Sequence, residues 1–405
     1  MSDLVITNAR VLTLAGAFSL RRGPTLRDLA ILPQADVAFS NGMIAAVGPS
    51  LTHPGPRLDA RGRVLMPAFV DCHTHACWAG SRVDEWERKL AGESYQSIMA
   101  AGGGILSTVR AVRRAPRDDL HRLLVGRLFA MLAQGTATAE VKSGYGLSPD
   151  AELRMLDVIS GVTAEDWPGT VVPTALLGHS IDPDLPHQVD VTISQTLPAV
   201  ARRWPGIAVD AFCEGGAWSL DECTRLFSAA KALGHPIRVH ADQFSSLGMI
   251  PRAIEFGARS VDHLEASTAE DLARLARSSV AGVALPICGF HLDGRFAKLR
   301  TVIDQGGAVC IATNYNPGSA PSPSMPLAIA LAVRHCGLTP AEAIAAATIN
   351  PAVVLGFSDR GQIAPGLRAD CLLLATDDER DLAYAPASSI IDAVYVGGNA
   401  VTIRS

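Results

Sequence analysis

Val64-Leu65-Met66-Pro67-Ala68-Phe69-Val70-Asp71-Cys72-His73-Thr74-His75 runs from an apolar stretch into two histidines separated by one residue. Side chains at i and i+2 of a strand share a face. His73 and His75 can therefore present both imidazoles to one metal ion. Neutral imidazole is a common ligand of zinc and iron. The pair gains weight from its place at the C-terminal end of a strand that reads as buried. Further ligands are then expected elsewhere in the chain.

Outward from this stretch, apolar strands alternate with helical segments. Strand candidates fall at 69–72, 138–142, 173–178, 209–212, 237–240, 260–263, 282–285 and 309–313, with helical stretches such as 118–132 and 219–233 between them. Eight such units predict an α/β fold, a TIM-type (β/α)8 barrel. In that architecture the chemistry sits at the C-terminal ends of the strands. The polar residues follow the rule. Strand one ends in His73 and His75, strand two in Lys142-Ser143-Gly144-Tyr145, and strand three in His179. Strand five ends in His240-Ala241-Asp242-Gln243, strand six in Asp262-His263-Leu264-Glu265, and strand eight in Asn314-Tyr315-Asn316-Pro317-Gly318. One histidine at such a place reads as a core residue; five at the same end of one barrel read as a site. His53, His121, His187, His235, His291 and His335 fall elsewhere and read as solvated or structural.

The two chain ends are β-rich. Residues 36–40 and 43–47 flank Asn41-Gly42, a tight hairpin signal. Residues 370–374 and 392–396 read as strands near the other end. The expected organisation is a small β-sheet domain from 1–65 and 366–405, enclosing a barrel over 66–365. With 48% hydrophobic and 19% charged residues, the chain is a globular protein with a large core. A net charge of -5, with no basic cluster, gives no attraction to nucleic acid or membrane. Eight scattered cysteines without a Cys-x-x-Cys pair read as reduced core residues. The opening Met1-Ser2-Asp3-Leu4 lacks the plan of a signal peptide, and no apolar run is long enough to span a bilayer. The expectation is a cytoplasmic protein.

The chain resembles the amidohydrolase superfamily, and within it the imidazolonepropionase branch, over nearly its whole length. The resemblance rests on Asp71-Cys72-His73-Thr74-His75, Ala79-Gly80-Ser81-Arg82, Ala101-Gly102-Gly103-Gly104-Ile105-Leu106-Ser107-Thr108-Val109-Arg110 and Val141-Lys142-Ser143-Gly144-Tyr145-Gly146-Leu147. It extends through Val239-His240-Ala241-Asp242-Gln243, Asp262-His263-Leu264-Glu265, Asn316-Pro317-Gly318-Ser319 and Gly366-Leu367-Arg368-Ala369-Asp370. The Gly102-Gly103-Gly104 loop lacks the Gly-Lys-Ser/Thr ending of a phosphate cradle and follows no strand, so it reads as a cover or substrate-facing turn.

The resemblance implies hydrolysis of a five-membered cyclic amide with a propionate arm, 4-imidazolone-5-propionate to N-formimino-L-glutamate, a step of histidine degradation. It implies one divalent ion, zinc or iron, on His73, His75 and His240, with Asn314 as a weak fourth ligand. His263 would polarise the carbonyl or stabilise the oxyanion. Arg82 would grip the propionate. Tyr145 and His179 would position the ring, Gln243 would contact it, and Asn316, Gly318 and Ser319 would form the opposite wall. Lys142, at a position where some amidohydrolases carboxylate a lysine, reads as structural or electrostatic in this single-metal branch. A homodimer is also implied.

The chain departs from the family pattern at Ala312-Thr313-Asn314-Tyr315-Asn316-Pro317-Gly318, where the family has aspartate at the third position. That aspartate binds the metal and takes a proton from water. A neutral amide is no useful base, and it removes a negative charge from beside a dication. Three readings stay open. The chain is an inactivated variant of an ordinary imidazolonepropionase. Or it is a paralogue that releases sulfide from a thioxo-imidazolidinone (thiohydantoin) propionate in ergothioneine breakdown. Or the site is vestigial, in a binding protein for a small imidazole-like acid. Cys77-Trp78 and Leu285-Pro286-Ile287-Cys288-Gly289-Phe290-His291 also depart from the family, and Cys288 or His291 is a candidate for the missing base or ligand.

Overall fold

Asn41 and Gly42 both take positive φ, 51° and 83°, the twist that a two-residue hairpin needs. In the computed structural model, which describes residues 3–93, 97 and 102–401, they join strands as the pattern predicts. Met1, Ser2 and Ala101, quoted above, lie outside the described residues. The N-terminal strands are β1 (Leu4–Leu12), β2 (Ile31–Ser40), β3 (Met43–Gly48), β4 (Arg57–Asp59) and β5 (Val64–Pro67).

The next eight strands form the barrel. They are β6 (Phe69–Asp71), β7 (Thr136–Lys142), β8 (Thr170–Gly178), β9 (Ala208–Cys213), β10 (Arg238–Ala241), β11 (Ser260–His263), β12 (Ala281–Ala284) and β13 (Val309–Ile311). Each pairs in parallel with the next in chain order. Beyond the first and last strands, the Asn314 amide donates to the His73 carbonyl and the His75 amide to the Tyr315 carbonyl, both at 3.0 Å. These bonds draw the two edges together at the C-terminal mouth. Strand eight stops earlier than its apolar pattern suggests, because Asn314 turns into the left-handed region at φ 56°. Asparagine tolerates that region better than most residues do.

The chain then returns to the first sheet through β14 (Cys371–Leu374), β15 (Ile391–Val396) and β16 (Asn399–Val401). That sheet has the order β16-β15-β14-β5-β1-β2-β3, with β4 beside β1. Crossover helices cover the barrel. Helix Leu220–Ala232 opens with a reciprocal capping box between Ser219 and Glu222 and buries Cys223, Leu226, Phe227 and Ala230. Short elements without a counterpart in the periodicity include a 3-10 turn at Gly23–Arg27 and a helix at Pro286–Leu292. Among the described residues no helix is long and apolar enough to cross a membrane.

Only Ala68 separates β5 from β6, so the two sheets share a short seam. Gly135 marks it. A side chain there would meet Phe69 of the barrel, and Leu372 and Ile391 of the mixed sheet, at 2.8–2.9 Å. Phe69 is fully buried in this seam. Phe69→Ala is expected to cost about 3–5 kcal/mol, the usual range for a truncated core phenylalanine. Urea denaturation measures it, and a loss well under about 1 kcal/mol would show that the seam does not hold the sheets together.

Candidate active site

The barrel interior is unusually charged. Glu140 and Lys142 on β7, Asp210 on β9, Arg238 on β10 and Asp262 on β11 are all buried. Each stands at i or i+2 of an inward-facing row, so their side chains meet on the axis. Lys142 Nζ donates to Glu140 Oε1 at 2.7 Å and to Asp210 Oδ2 at 2.8 Å. Arg238 donates to Glu140 Oε1 at 3.2 Å and to Asp262 Oδ2 at 2.8 Å. Burial and Arg238 press the Lys142 ammonium down, yet Asp210 and Glu140 carry it above the ordinary lysine value. Burial likewise opposes the charge on Arg238, and Asp262 and Glu140 outweigh it. Asp210, which burial alone would raise, is held well below the carboxylate range by His240, Lys142 and Arg238. An ammonium locked between two carboxylates has no free amine to carboxylate. The structural role expected for Lys142 matches this geometry.

The histidines stand on that layer. His73 Nδ1 lies 2.6 Å from Asp262 Oδ2, and His240 Nδ1 lies 3.0 Å from Asp210 Oδ1. In each pair the carboxylate fixes the proton on Nδ1 and turns the other ring nitrogen toward the mouth. His73 Nε2 is buried without a protein partner. The Nε2 atoms of His240 and His75 approach to 3.3 Å. Burial pushes His73 and His75 well below their ordinary pKa, and His240 to about 4 despite Asp210. The three rings are therefore neutral, with lone pairs free, and their ligand atoms gather within 4.8 Å of one another. This set fits a divalent metal ion. Asn314 Oδ1, also buried and unpartnered among the described residues, is a neutral oxygen that adds a fourth donor to these three nitrogens.

A small cavity opens above these rings. It is lined by His75, His240, His263, Arg82, Tyr145, His179, Gln243, Asn314, Asn316, Gly318 and Ser319, together with Ile105, Phe212, Phe244 and Leu292. His73 lies beneath it, against Asp262. The sequence-predicted residues thus converge on one site. His179 Nδ1 is bound to the Gly144 carbonyl at 2.9 Å, and burial pushes the ring to about 4, so Nε2 offers a lone pair to the cavity. Burial raises the Tyr145 phenol, which stays a neutral donor. His263 behaves oppositely. Burial would lower it, but Glu265, 3.2 Å from Nδ1, and the Cys288 sulfur raise it to about 10. Its neighbours favour the protonated ring.

Arg82 stands at the cavity wall. Its Nε donates to Glu85 Oε2 at 2.7 Å. The same carboxylate accepts from the Gly104 amide at 3.0 Å and the Ser107 hydroxyl at 2.7 Å. Glu85 thereby ties Arg82 to the glycine-rich loop, whose Ile105 faces the cavity. Gly318 is glycine for a local reason: a side chain there would meet Arg82 Nη1 at 2.5 Å. Apart from Asn314, the residues that depart from the family pattern lie outside the lining. Cys77 and Trp78 are buried beside it, with Trp78 stacked on Arg127 at 3.3 Å. His291 faces Trp86 at the outer rim, 6.4 Å between ring centroids. Cys288 sits behind Gln243, whose Nε2 donates to Sγ at 3.3 Å.

Residues 64–401 match the model of the amidohydrolase family. The chain belongs to that family. Within it, the chain groups with the imidazolonepropionases. It is 44% identical to the imidazolonepropionase of Deinococcus radiodurans over 380 residues, which span 93% of this chain and 94% of that one. It is 41% identical to that of Chloroflexus aggregans over 98% of both. Among solved structures it resembles 5-methylcytosine deaminase from Klebsiella pneumoniae liganded with phosphonocytosine. The TM-score is 0.74 over 99% of this chain and 98% of that one, at 16% identity, a likeness of fold alone.

Sequence reading gave no role to Glu140, Asp210, Arg238, Asp262 or Glu85, although Asp262 stood among the quoted strand-end residues. The first four carried a signal, since each is a charged residue inside an apolar strand. Lys142→Met is expected to cost about 3–5 kcal/mol, because it leaves Glu140 and Asp210 without their shared cation. Denaturant titration would reveal it; a change within about 1 kcal/mol would mean that the layer tolerates an unpaired carboxylate.

Proposed function

We propose that this protein hydrolyses 4-imidazolone-5-propionate to N-formimino-L-glutamate, with one zinc or iron ion held by His73, His75 and His240. The observation that carries this reading is the convergence of three neutral buried imidazoles, the imidazolium of His263 and the guanidinium of Arg82 on one cavity. The imidazolonepropionase relatives, alike over nearly the full chain, supply the substrate class. When bound, a divalent ion lowers the pKa of water toward neutrality and makes hydroxide available for attack.

The chain's own residues then have separate tasks. Arg82 takes the propionate with its terminal amino groups, while Glu85 holds the guanidinium plane. The His179 lone pair accepts a ring N–H, and the Tyr145 hydroxyl donates to the ring. His263 donates its proton-bearing face to the carbonyl oxygen as negative charge develops there. Gln243 hydrogen-bonds the ring from the same side. Asn316, Gly318 and Ser319 close the wall through a turn in which Asn316 Oδ1 accepts the Gly318 and Ser319 amides at 2.8 Å. Asn314 is a weak neutral ligand rather than a base. The same reading expects a cytoplasmic homodimer.

The test is to load the protein with zinc or iron, confirm the metal content, and offer imidazolone-propionate and its thioxo-hydantoin analogue side by side. Formimino-glutamate is expected. Sulfide from the thioxo compound alone would move the chain to the paralogue reading. Neither product would favour an inactivated or binding protein. Asn314→Asp is expected to tighten metal binding and raise turnover by about 10²-fold or more, the ordinary contribution of a positioned base. An unchanged rate in a metal-replete Asn314→Asp protein would contradict the role given to position 314. Arg82→Ala is expected to raise KM for the propionate substrate about 10- to 100-fold, from a charged hydrogen-bond pair of about 1.5–3 kcal/mol. An analogue without the arm should lose nothing; equal losses on both would remove Arg82 from the carboxylate.

A further inference from the structure

Among the described residues, one cluster of metal-ligating side chains lies outside the three-histidine set. His263 at the end of β11, Glu265 two residues on, and Cys288 in helix Pro286–Leu292 bring one ligand atom each within 4.8 Å of the others. His263 and Leu264 both take positive φ, 90° and 76°, and the chain doubles back so that His263 Nδ1 and Glu265 Oε1 lie 3.2 Å apart. Non-glycine residues hold such a conformation only where their surroundings impose it. The Glu265 side chain is about nineteen-twentieths buried, and its second oxygen, Oε2, has no partner. Cys288 is 2% exposed, and its sulfur accepts a weak N–H from Gln243 at 3.3 Å and stands against the His263 ring. An imidazole, a carboxylate with a spare oxygen and a thiol, from a strand end and a facing helix, make a closed face of three ligands with one side toward the cavity.

We propose that His263, Glu265 and Cys288 form a second metal site, selective for a thiophilic divalent cation such as zinc, whose occupation blocks the reaction. Sulfur with imidazole and carboxylate is a zinc-type donor set rather than a magnesium- or calcium-type one. Binding sends the thiol proton and one of the two ring protons to solvent, and the cation takes their place. Gln243 loses its contact to sulfur and turns into the cavity. The inhibitory part rests on the function proposed above: the cation takes one ring nitrogen, the ring keeps its other N–H but is no longer an imidazolium, and Gln243 leaves its place beside the substrate ring. Excess zinc would then stop turnover although the three-histidine site is intact.

Sulfur makes the two sites spectroscopically distinct, because His73, His75 and His240 supply none. The full-length protein, stripped of metal by chelation, is titrated with cobalt(II) to two equivalents while the near-ultraviolet thiolate-to-cobalt charge-transfer band is followed. The band is expected to saturate at one sulfur-bound cobalt per chain and to vanish in Cys288→Ser. Glu265→Gln keeps the thiol and is expected to weaken the cobalt that gives the band at least tenfold. Absence of the band at saturating cobalt, or a band of full strength in Cys288→Ser, would overturn the site. In the metal-loaded enzyme, excess zinc is expected to inhibit the parent and to spare Cys288→Ser relative to its own starting rate. A cobalt band that depends on Cys288, together with turnover indifferent to excess zinc, would keep the site, overturn its inhibitory action, and count against the role of His263 rather than the substrate assignment.

Discussion

Three carboxylates and two cations, sealed inside a barrel, are the constraint on which the rest of this molecule depends. Glu140, Asp210 and Asp262 face Lys142 and Arg238 with none of them more than 1% exposed. An ionic layer of this kind is a poor device for stability, since well-packed hydrophobic residues often do as well or better. It is a good device for orientation. Asp210 accepts from Lys142 on Oδ2 and faces His240 with Oδ1, whereas Asp262 meets both Arg238 and His73 with Oδ2. The rings of His73 and His240 are thereby fixed in tautomer and in direction before any ion arrives. Sites assembled this way keep their geometry because the supporting partners are themselves held.

The fold was legible because two periodicities are clean. Alternating apolar strands and helical stretches mark the barrel, and all eight strand candidates overlap β6 to β13. The upper surface of the site was legible for a different reason. Histidines at strand ends such as His179 and His240 stand out against apolar neighbours. What escaped the reading is the layer beneath. Glu140 in Thr136–Lys142 or Asp210 in Ala208–Cys213 carries no motif, and only the closure of the barrel shows that their partners come from other strands. Glu85 escaped because it acts through tertiary bonds to Arg82, Gly104 and Ser107, two of them about twenty residues away. Helix Pro286–Leu292 escaped because seven residues are too few for a periodicity.

Recognition and framework are joined at Glu85. One carboxylate accepts from Arg82, from the amide of Gly104 and from the hydroxyl of Ser107. The Arg82 guanidinium is thus not a free surface arm but part of the closed turn that carries Ile105 into the cavity. Gly318 completes the arrangement by leaving room for Nη1. A guanidinium held on one edge keeps its other edge aimed, and less rotamer freedom is lost when an anion binds.

Asn314 is best understood against the charge of the layer below it. With the histidines neutral, three carboxylates against two cations leave one negative charge under the imidazoles, and that charge persists whatever stands at position 314. An aspartate at 314 would add a second negative charge directly at the ligand atoms, where a dication feels it most. The amide leaves the left-handed turn unchanged, since asparagine and aspartate both tolerate φ near 56°. Its backbone bonds to the His73 carbonyl and the Asn316 side chain do not involve the side-chain oxygen. The framework is therefore indifferent to the exchange, and its whole effect falls on the chemistry. On the function proposed above, the amide keeps a neutral oxygen donor but offers less of the field that would hold a cation and no proton acceptor. A site so altered retains the shape of a hydrolase while proton removal from water becomes the step most in need of another group.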